Sequence, residues 1–213
     1  MARRVIEVKE HGKEKGKAKS IFLFVAEGKN KTETMYFSNF QRKENDFVIR
    51  FAKAGKKTDA VSLYETMLAK WKEWELSGEN GDRGFILVDV DNDSQKASEI
   101  AKLISKNSNA CIEFIVSNPT FEIWFLLHFK YTTKQYSNGK EVITDLKRYI
   151  SDYAKNADCY GVCFDKMQTG ISNSKKLALQ HKDKAWPSVQ CNPRTDVGIL
   201  VEMICEKMQL FKG

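Results

Sequence analysis

Three carboxylates carry the chemical interest of this chain. Glu27 follows an apolar run, Ile21-Phe-Leu-Phe-Val-Ala26, and Asp89 and Asp91 follow another, Phe85-Ile-Leu-Val88. In an open α/β sheet the carboxyl ends of the strands share one edge, and ligands bind there. Residues two apart in extended backbone point the same way, so Asp89 and Asp91 are expected to share a face. If the two runs are neighbouring strands, all three acids converge on one crevice. Two carboxylates about 4 Å apart repel by about 4 kcal/mol at an effective dielectric near 20. Such a cluster keeps a proton or takes a cation. An all-oxygen donor set suits a hard cation, Mg²⁺ or Mn²⁺, which keeps waters and binds phosphates. That is the equipment of phosphodiester chemistry. A lone D-x-D more often marks a turn or a solvated loop, so the pair gains meaning only with Glu27 beside it. Asp93 either extends the acidic group or starts the next helix.

Other metal and phosphate motifs fail on their own terms. An EF-hand over Asp89–Ile100 would need Gly at its sixth position and Glu at its twelfth, where Ser94 and Ile100 stand. Gly28-Lys-Asn-Lys-Thr32 lacks the first glycine and the Gly-Lys-Thr order of a P-loop. Cys159 and Cys163 have the wrong spacing for a zinc knuckle and no clear second pair. Lys29 and Lys31 are candidates to touch a scissile phosphate, against the default of solvated lysines. Glu122 lies one turn into a helix expected to open at Asn118-Pro119, with Asn118 as cap and Pro119 at the first helical position. That helix start would face the same edge and favour phosphate. Glu122 is then a further ligand or an orienting group, or simply an acid well placed on the helix dipole. Asn118 is a cap first and a substrate contact second. His128, six residues beyond Glu122, faces elsewhere and reads as a core histidine.

The elements that must position these residues alternate. Strands are expected at Ile21–Ala26, Phe47–Ala52, Phe85–Val88 and Ala110–Val116. Helices are expected from Thr32 to about Gln41, from Thr58 with Val61, Tyr64, Met67, Leu68, Trp71 and Trp74 on its apolar face, from Ser94 to about Ser105, and over Pro119–Phe129. Gly78–Gly84 reads as a turn. Trp71, Trp74 and Trp124 fall on helical stripes and are expected in the core. This order predicts an α/β fold, with a mainly parallel sheet covered by helices on both faces. From about Glu141 onward the chain reads as helical. Asp196–Phe211 is the clearest case, with Val197, Leu200, Val201, Ile204, Met208 and Phe211 on one stripe.

Composition bounds the rest. Among 213 residues, 42% are hydrophobic, including 13 Phe, 4 Trp and 7 Tyr, enough to exclude global disorder. No apolar stretch, Ile21–Ala26 and Ile123–Leu127 included, approaches the length of a membrane span. Met1–Ser20 has no apolar secretory core. Five cysteines, an odd number, fit free thiols in a reducing cytosol better than a disulfide framework. The net charge is +7, and Met1–Ser20 supplies four of those charges from seven Lys/Arg and three Glu. That segment reads as a flexible basic arm, either a phosphate contact or a solubilising terminus, ahead of one domain over residues 21–213.

Val25-Ala-Glu27-Gly28, followed some sixty residues later by Leu87-Val-Asp89-Val-Asp91, resembles the Toprim domain. Thr32-Glu33 with Tyr36-Phe37, then Ser117-Asn118-Pro119-Thr-Phe121-Glu122-Ile-Trp124-Phe-Leu-Leu127-His128-Phe129, then Asn192-Pro193-Arg-Thr195-Asp196-Val197, resembles the RloB family. The resemblance runs from about Ser20 to the C-terminus. It implies a Toprim-like fold, a divalent-metal nuclease acting on nucleic acid, and a place in bacterial phage defence beside an ABC-like or OLD-like ATPase. It makes Glu27 an acid/base group or a metal ligand, and Asp89 and Asp91 the metal holders. The competing expectations are an interaction or sensor subunit whose acids are vestigial, and a nucleic-acid-binding module that works through its basic arm.

Overall fold

The computed structural model describes residues 19–27, 31–53, 55, 59–155 and 157–211. Residues 1–18 of the expected basic arm, Lys29 and the expected cap Thr58 lie outside them, and Ser20 opens a strand instead. Five strands form one sheet in the order β2-β1-β3-β4-β5: β1 Ser20–Ala26, β2 Phe47–Phe51, β3 Arg83–Asp89, β4 Ile112–Asn118 and β5 Arg194–Thr195. The first four are mutually parallel, and β5 closes the edge antiparallel to β4. The expectation that the two acid-bearing strands are neighbours therefore holds, with Ala26 level with Leu87 and Asp89 level with Ser117.

Strand alternation splits the core in two. Phe22, Phe24, Phe85 and Leu87 face one side, and Leu23, Val25, Ile86 and Val88 face the other. Both faces are buried, which is why β1 and β3 read as unbroken apolar runs. The first side is covered by α1 Lys31–Ser38, α4 Glu122–Leu127 and the C-terminal helices α5 Gly139–Leu146, α6 Tyr160–Phe164, α7 Met167–Gln180 and α8 Val197–Lys207. An aromatic cluster around Tyr36 fills it, with Phe37, Phe40, Phe121 and Phe125 at ring-centroid distances of 5.3 to 6.2 Å. The second side is covered by α2 Ala60–Glu73 and α3 Ser94–Lys106.

Several boundaries differ from expectation, each for a local reason. Helix α1 starts at Lys31, so Thr32 sits inside its first turn rather than capping it. Asp59 caps α2 by accepting the Ser62 N–H at 3.0 Å. The face of α2 is rotated: Ala60, Leu63 and Met67 are buried, whereas Leu68 is 40% exposed. The fourth apolar helix is shorter than expected. Asn118 ends β4, and α4 begins only at Glu122, with all six of its residues buried. The C-terminal part is helical but not wholly so, because Arg194–Thr195 pairs with the sheet. Two residues are too few for a strand to show periodicity. Val197, Leu200, Val201 and Ile204 of α8 are buried as expected, whereas Phe211 is 42% exposed. All five cysteines are free thiols. Among the described residues no helix is long and apolar enough to cross a membrane.

Candidate active site

The parallel strands deliver the first two acids to one edge. Continuing the alternation, Asp89 follows Phe85 and Leu87 toward the side of α1 and α4, and Glu27 follows Val25 toward α3. The Asp89 backbone N–H donates to Glu27 Oε1 at 3.3 Å, so the two strand ends are directly linked. Around Asp89 stand further acids. Its carboxyl is pushed well above the usual range, first by burial and then by the charges of Glu33, Glu27, Glu122 and Asp91. Glu33, from the first turn of α1, is raised to about 7, again by burial first, with Glu122 and Glu27 adding to it. Glu27 is raised by burial, against the opposing pull of Lys96.

Thr120 joins two of these groups. Its hydroxyl lies 3.0 Å from Asp89 Oδ2 and 2.5 Å from Glu122 Oε2. Glu122 is 3% exposed, and its other oxygen accepts from the Tyr153 hydroxyl at 3.0 Å, with Lys155 Nζ at 4.0 Å. Glu122 thus stands among the acids around Asp89 and is held by three partners, all from loop segments.

Asp91 takes a different place. Strand β3 stops at Asp89, and Asp91 and Asn92 follow in the left-handed region at φ 55° and 60°. Asp and Asn tolerate that region better than other side chains. Extended backbone therefore ends before Asp91, and the expectation that Asp89 and Asp91 point the same way does not apply. Val90 between them is fully buried. Asp91, with its side chain 58% exposed, is joined to Glu27 through Lys96, whose ammonium is 2.6 Å from Asp91 Oδ2 and 2.9 Å from Glu27 Oε1. Asp93 is exposed and caps α3, its Oδ1 accepting the N–H groups of Gln95 at 2.7 Å and Lys96 at 3.2 Å.

Two Asn-Pro segments clamp the turn. Asn118 is fully buried, and its expected role as a helix cap is replaced by a different one. Its Oδ1 accepts the Asn92 N–H at 3.2 Å, and its Nδ2 donates to the carbonyls of Ser188 and Cys191 at 3.3 and 3.1 Å. Asn192 donates to Asn92 Oδ1 at 3.1 Å and to the Tyr136 carbonyl at 2.7 Å. Both asparagines are therefore spent on positioning the loop that carries Asp91. Lys31 opens α1, and Lys29 lies outside the described residues. His128 is a core residue: its ring packs on Trp124 at 4.4 Å, Nδ1 meets the Trp124 carbonyl at 2.9 Å, and burial lowers its pKa to about 4.

Sequence reasoning passed over Lys96 and Tyr153, and used Glu33 and Thr120 only as parts of a family pattern. An acid in the first turn of the helix after β1 was a usable signal for Glu33. For Lys96 and Tyr153 no local signal exists. The donor chemistry of Glu27 and Asp89, hard carboxylate oxygens whose pKa values burial raises, fits a hard divalent cation. Among the described residues no three His, Cys, Asp or Glu side chains form a ligand group. The pair Glu27–Asp89 is the part that matches, and Mg²⁺ is commonly held by one or two carboxylates.

A family model described as RloB-like protein matches residues 22–204. No curated protein and no solved structure matches the chain.

Proposed function

This chain belongs to the RloB-like family, and on that footing we propose that it is a Mg²⁺- or Mn²⁺-dependent phosphodiesterase acting on nucleic acid. One observation carries the reading: Glu27 and Asp89, 62 residues apart, meet at the carboxyl edge of a parallel sheet within a set of mutually repelling acids. Glu27 and Asp89 would hold the cation, which when bound neutralises phosphate charge. Glu27, its pKa raised by burial, suits a proton acceptor at the attacking water as well as a ligand. Glu33 and Glu122 keep the crevice acidic from α1 and α4, and Thr120 fixes the orientation of Asp89. Lys29, Lys31 and the basic arm are the proposed further phosphate contacts. The setting we propose is phage defence with an ABC-like or OLD-like ATPase partner.

A second reading, a non-catalytic interaction or sensor subunit of an ATPase complex, is favoured by one feature. Leu179 at 67% and Ile199 at 52% are exposed on α7 and α8. The deciding experiment compares wild type with Asp89→Asn for phage protection or host toxicity, each expressed together with the proposed ATPase partner. Protection lost with Asp89→Asn supports the nuclease. Equal protection by both overturns it in favour of the interaction subunit.

A further inference from the structure

Lys96 lies in the first turn of α3, at the positive end of the helix dipole, where a cation gains nothing on helical grounds. Its side chain is nevertheless only 20% exposed. Its ammonium touches both oxygens of Glu27, at 2.9 and 3.0 Å, and Asp91 Oδ2 at 2.6 Å. It therefore stands where a divalent cation on Glu27 would have to lie. A divalent cation on Glu27 and an ammonium at these distances repel each other. A cation arriving at Glu27 displaces the ammonium, and the more exposed Asp91 keeps it at the mouth of the crevice. Lysine carries three donors on a flexible stem, and the capped N-terminus of α3 favours an anion in the same place.

We propose that Lys96 is a substrate-contacting residue of this site, which holds Glu27 until a divalent cation arrives and then binds a non-bridging oxygen of the phosphodiester. The proposal rests on the phosphodiesterase reading above. The test uses the full chain, with Mn²⁺ binding followed by calorimetry and metal-free stability by thermal melting. Losing the competing ammonium, Lys96→Met should bind Mn²⁺ about fivefold more tightly. Without Mn²⁺ it should melt lower than wild type, because Glu27 and Asp91 lose their counter-charge, and saturating Mn²⁺ should close most of that gap. With Mn²⁺ present, binding of a phosphorothioate oligonucleotide should weaken about tenfold in Lys96→Met and stay near wild type in Lys96→Arg. Lys96→Gln gives the same comparison if the methionine chain does not fold. Unchanged or weaker Mn²⁺ binding by a folded, charge-neutral variant, with wild type binding normally, overturns the role of Lys96 alone. Failure of both wild type and variant to bind Mn²⁺ overturns the phosphodiesterase reading and the proposal with it.

Discussion

Asp89 is the acid with most to gain from losing its charge. Burial and four neighbouring carboxylates raise its pKa, so the metal-free fold works against its ionised form. Asp89→Asn should therefore raise the melting temperature of the metal-free protein near neutral pH, by the equivalent of about 1 kcal/mol, while abolishing metal-dependent cleavage. A drop in metal-free stability would mean that Asp89 is not repelled as described. Glu33 makes a pH-dependent statement of the same kind. Its pKa rises from 4.5 to about 7 on folding, so the folded state holds the proton more tightly. Its contribution to stability is fully present below about pH 4.5 and is lost as the pH rises through about 7. Melting curves without metal should fall across that window, and Glu33→Gln should flatten the fall. Glu27→Gln separates two roles: turnover crippled more than Mn²⁺ affinity marks an acid/base group, and the reverse marks a ligand.

Between residues and fold stand the turn that follows β3 and the segments that hold it. Val90 N–H donates to the Ser117 carbonyl at 2.8 Å and Asp91 N–H to the Pro119 carbonyl at 2.9 Å, so the turn is bound to the end of β4 through its own backbone. Asn118 adds three side-chain bonds to the turn and to the loop around Ser188 and Cys191. Asn118→Ala strands those partners in a buried setting and should cost more than about 2 kcal/mol, read as a lower urea midpoint with an unchanged slope. Helices α7 and α8 make the complementary case from close packing. A Cβ on Gly198 would meet Ser174 Cβ at 2.5 Å and Oγ at 2.6 Å, and Ser174 donates to the Thr195 carbonyl of β5. Gly198→Ala should loosen this crossing and lower stability by about 1 to 3 kcal/mol, whereas Gly161→Ala, with nothing near its Cβ, should not.

At the scale of the molecule, charge is divided between the sheet edge and the N-terminal segment. The crevice gathers Glu27, Glu33, Asp89, Asp91 and Glu122, while residues 1–20 supply four of the seven net positive charges. An anionic substrate is repelled by the first and attracted by the second, so the reading above needs cations in both places. Removing residues 1–18 should weaken nucleic-acid binding and flatten its dependence on salt, because fewer counterions are released. An unchanged slope in a binding titration would return the segment to a solubilising role. The split core matches this division of labour. Helices α2 and α3 cover one face and bring Lys96, and α1 and α4 cover the other and bring Glu33 and Glu122.

Strands β1 and β3 and the acids after them were legible in the amino-acid order because both signals are local. A strand buried on both faces must be continuously apolar, and an acid directly after it can only lie at the strand end. The burial of α4 was legible for the same reason. Its starting point was not, because Asn118 and Pro119 look like a cap and a first turn until the neighbouring strand claims Asn118. The shared direction of Asp89 and Asp91 also failed to follow from spacing, since two left-handed residues break the extended chain at that point. Lys96 and Tyr153 have no local mark at all, and Thr120 and Asn192 stood out only as members of family-like stretches. Lys96 meets Glu27 across 69 residues and Asn192 meets Asn92 across 100. Such contacts exist only once the β-α crossovers have stacked strand ends, helix starts and loops on one edge. The sequence by itself determined which strands are buried and where their acids emerge. Tertiary packing decided which acids share a crevice and which basic side chain stands between them.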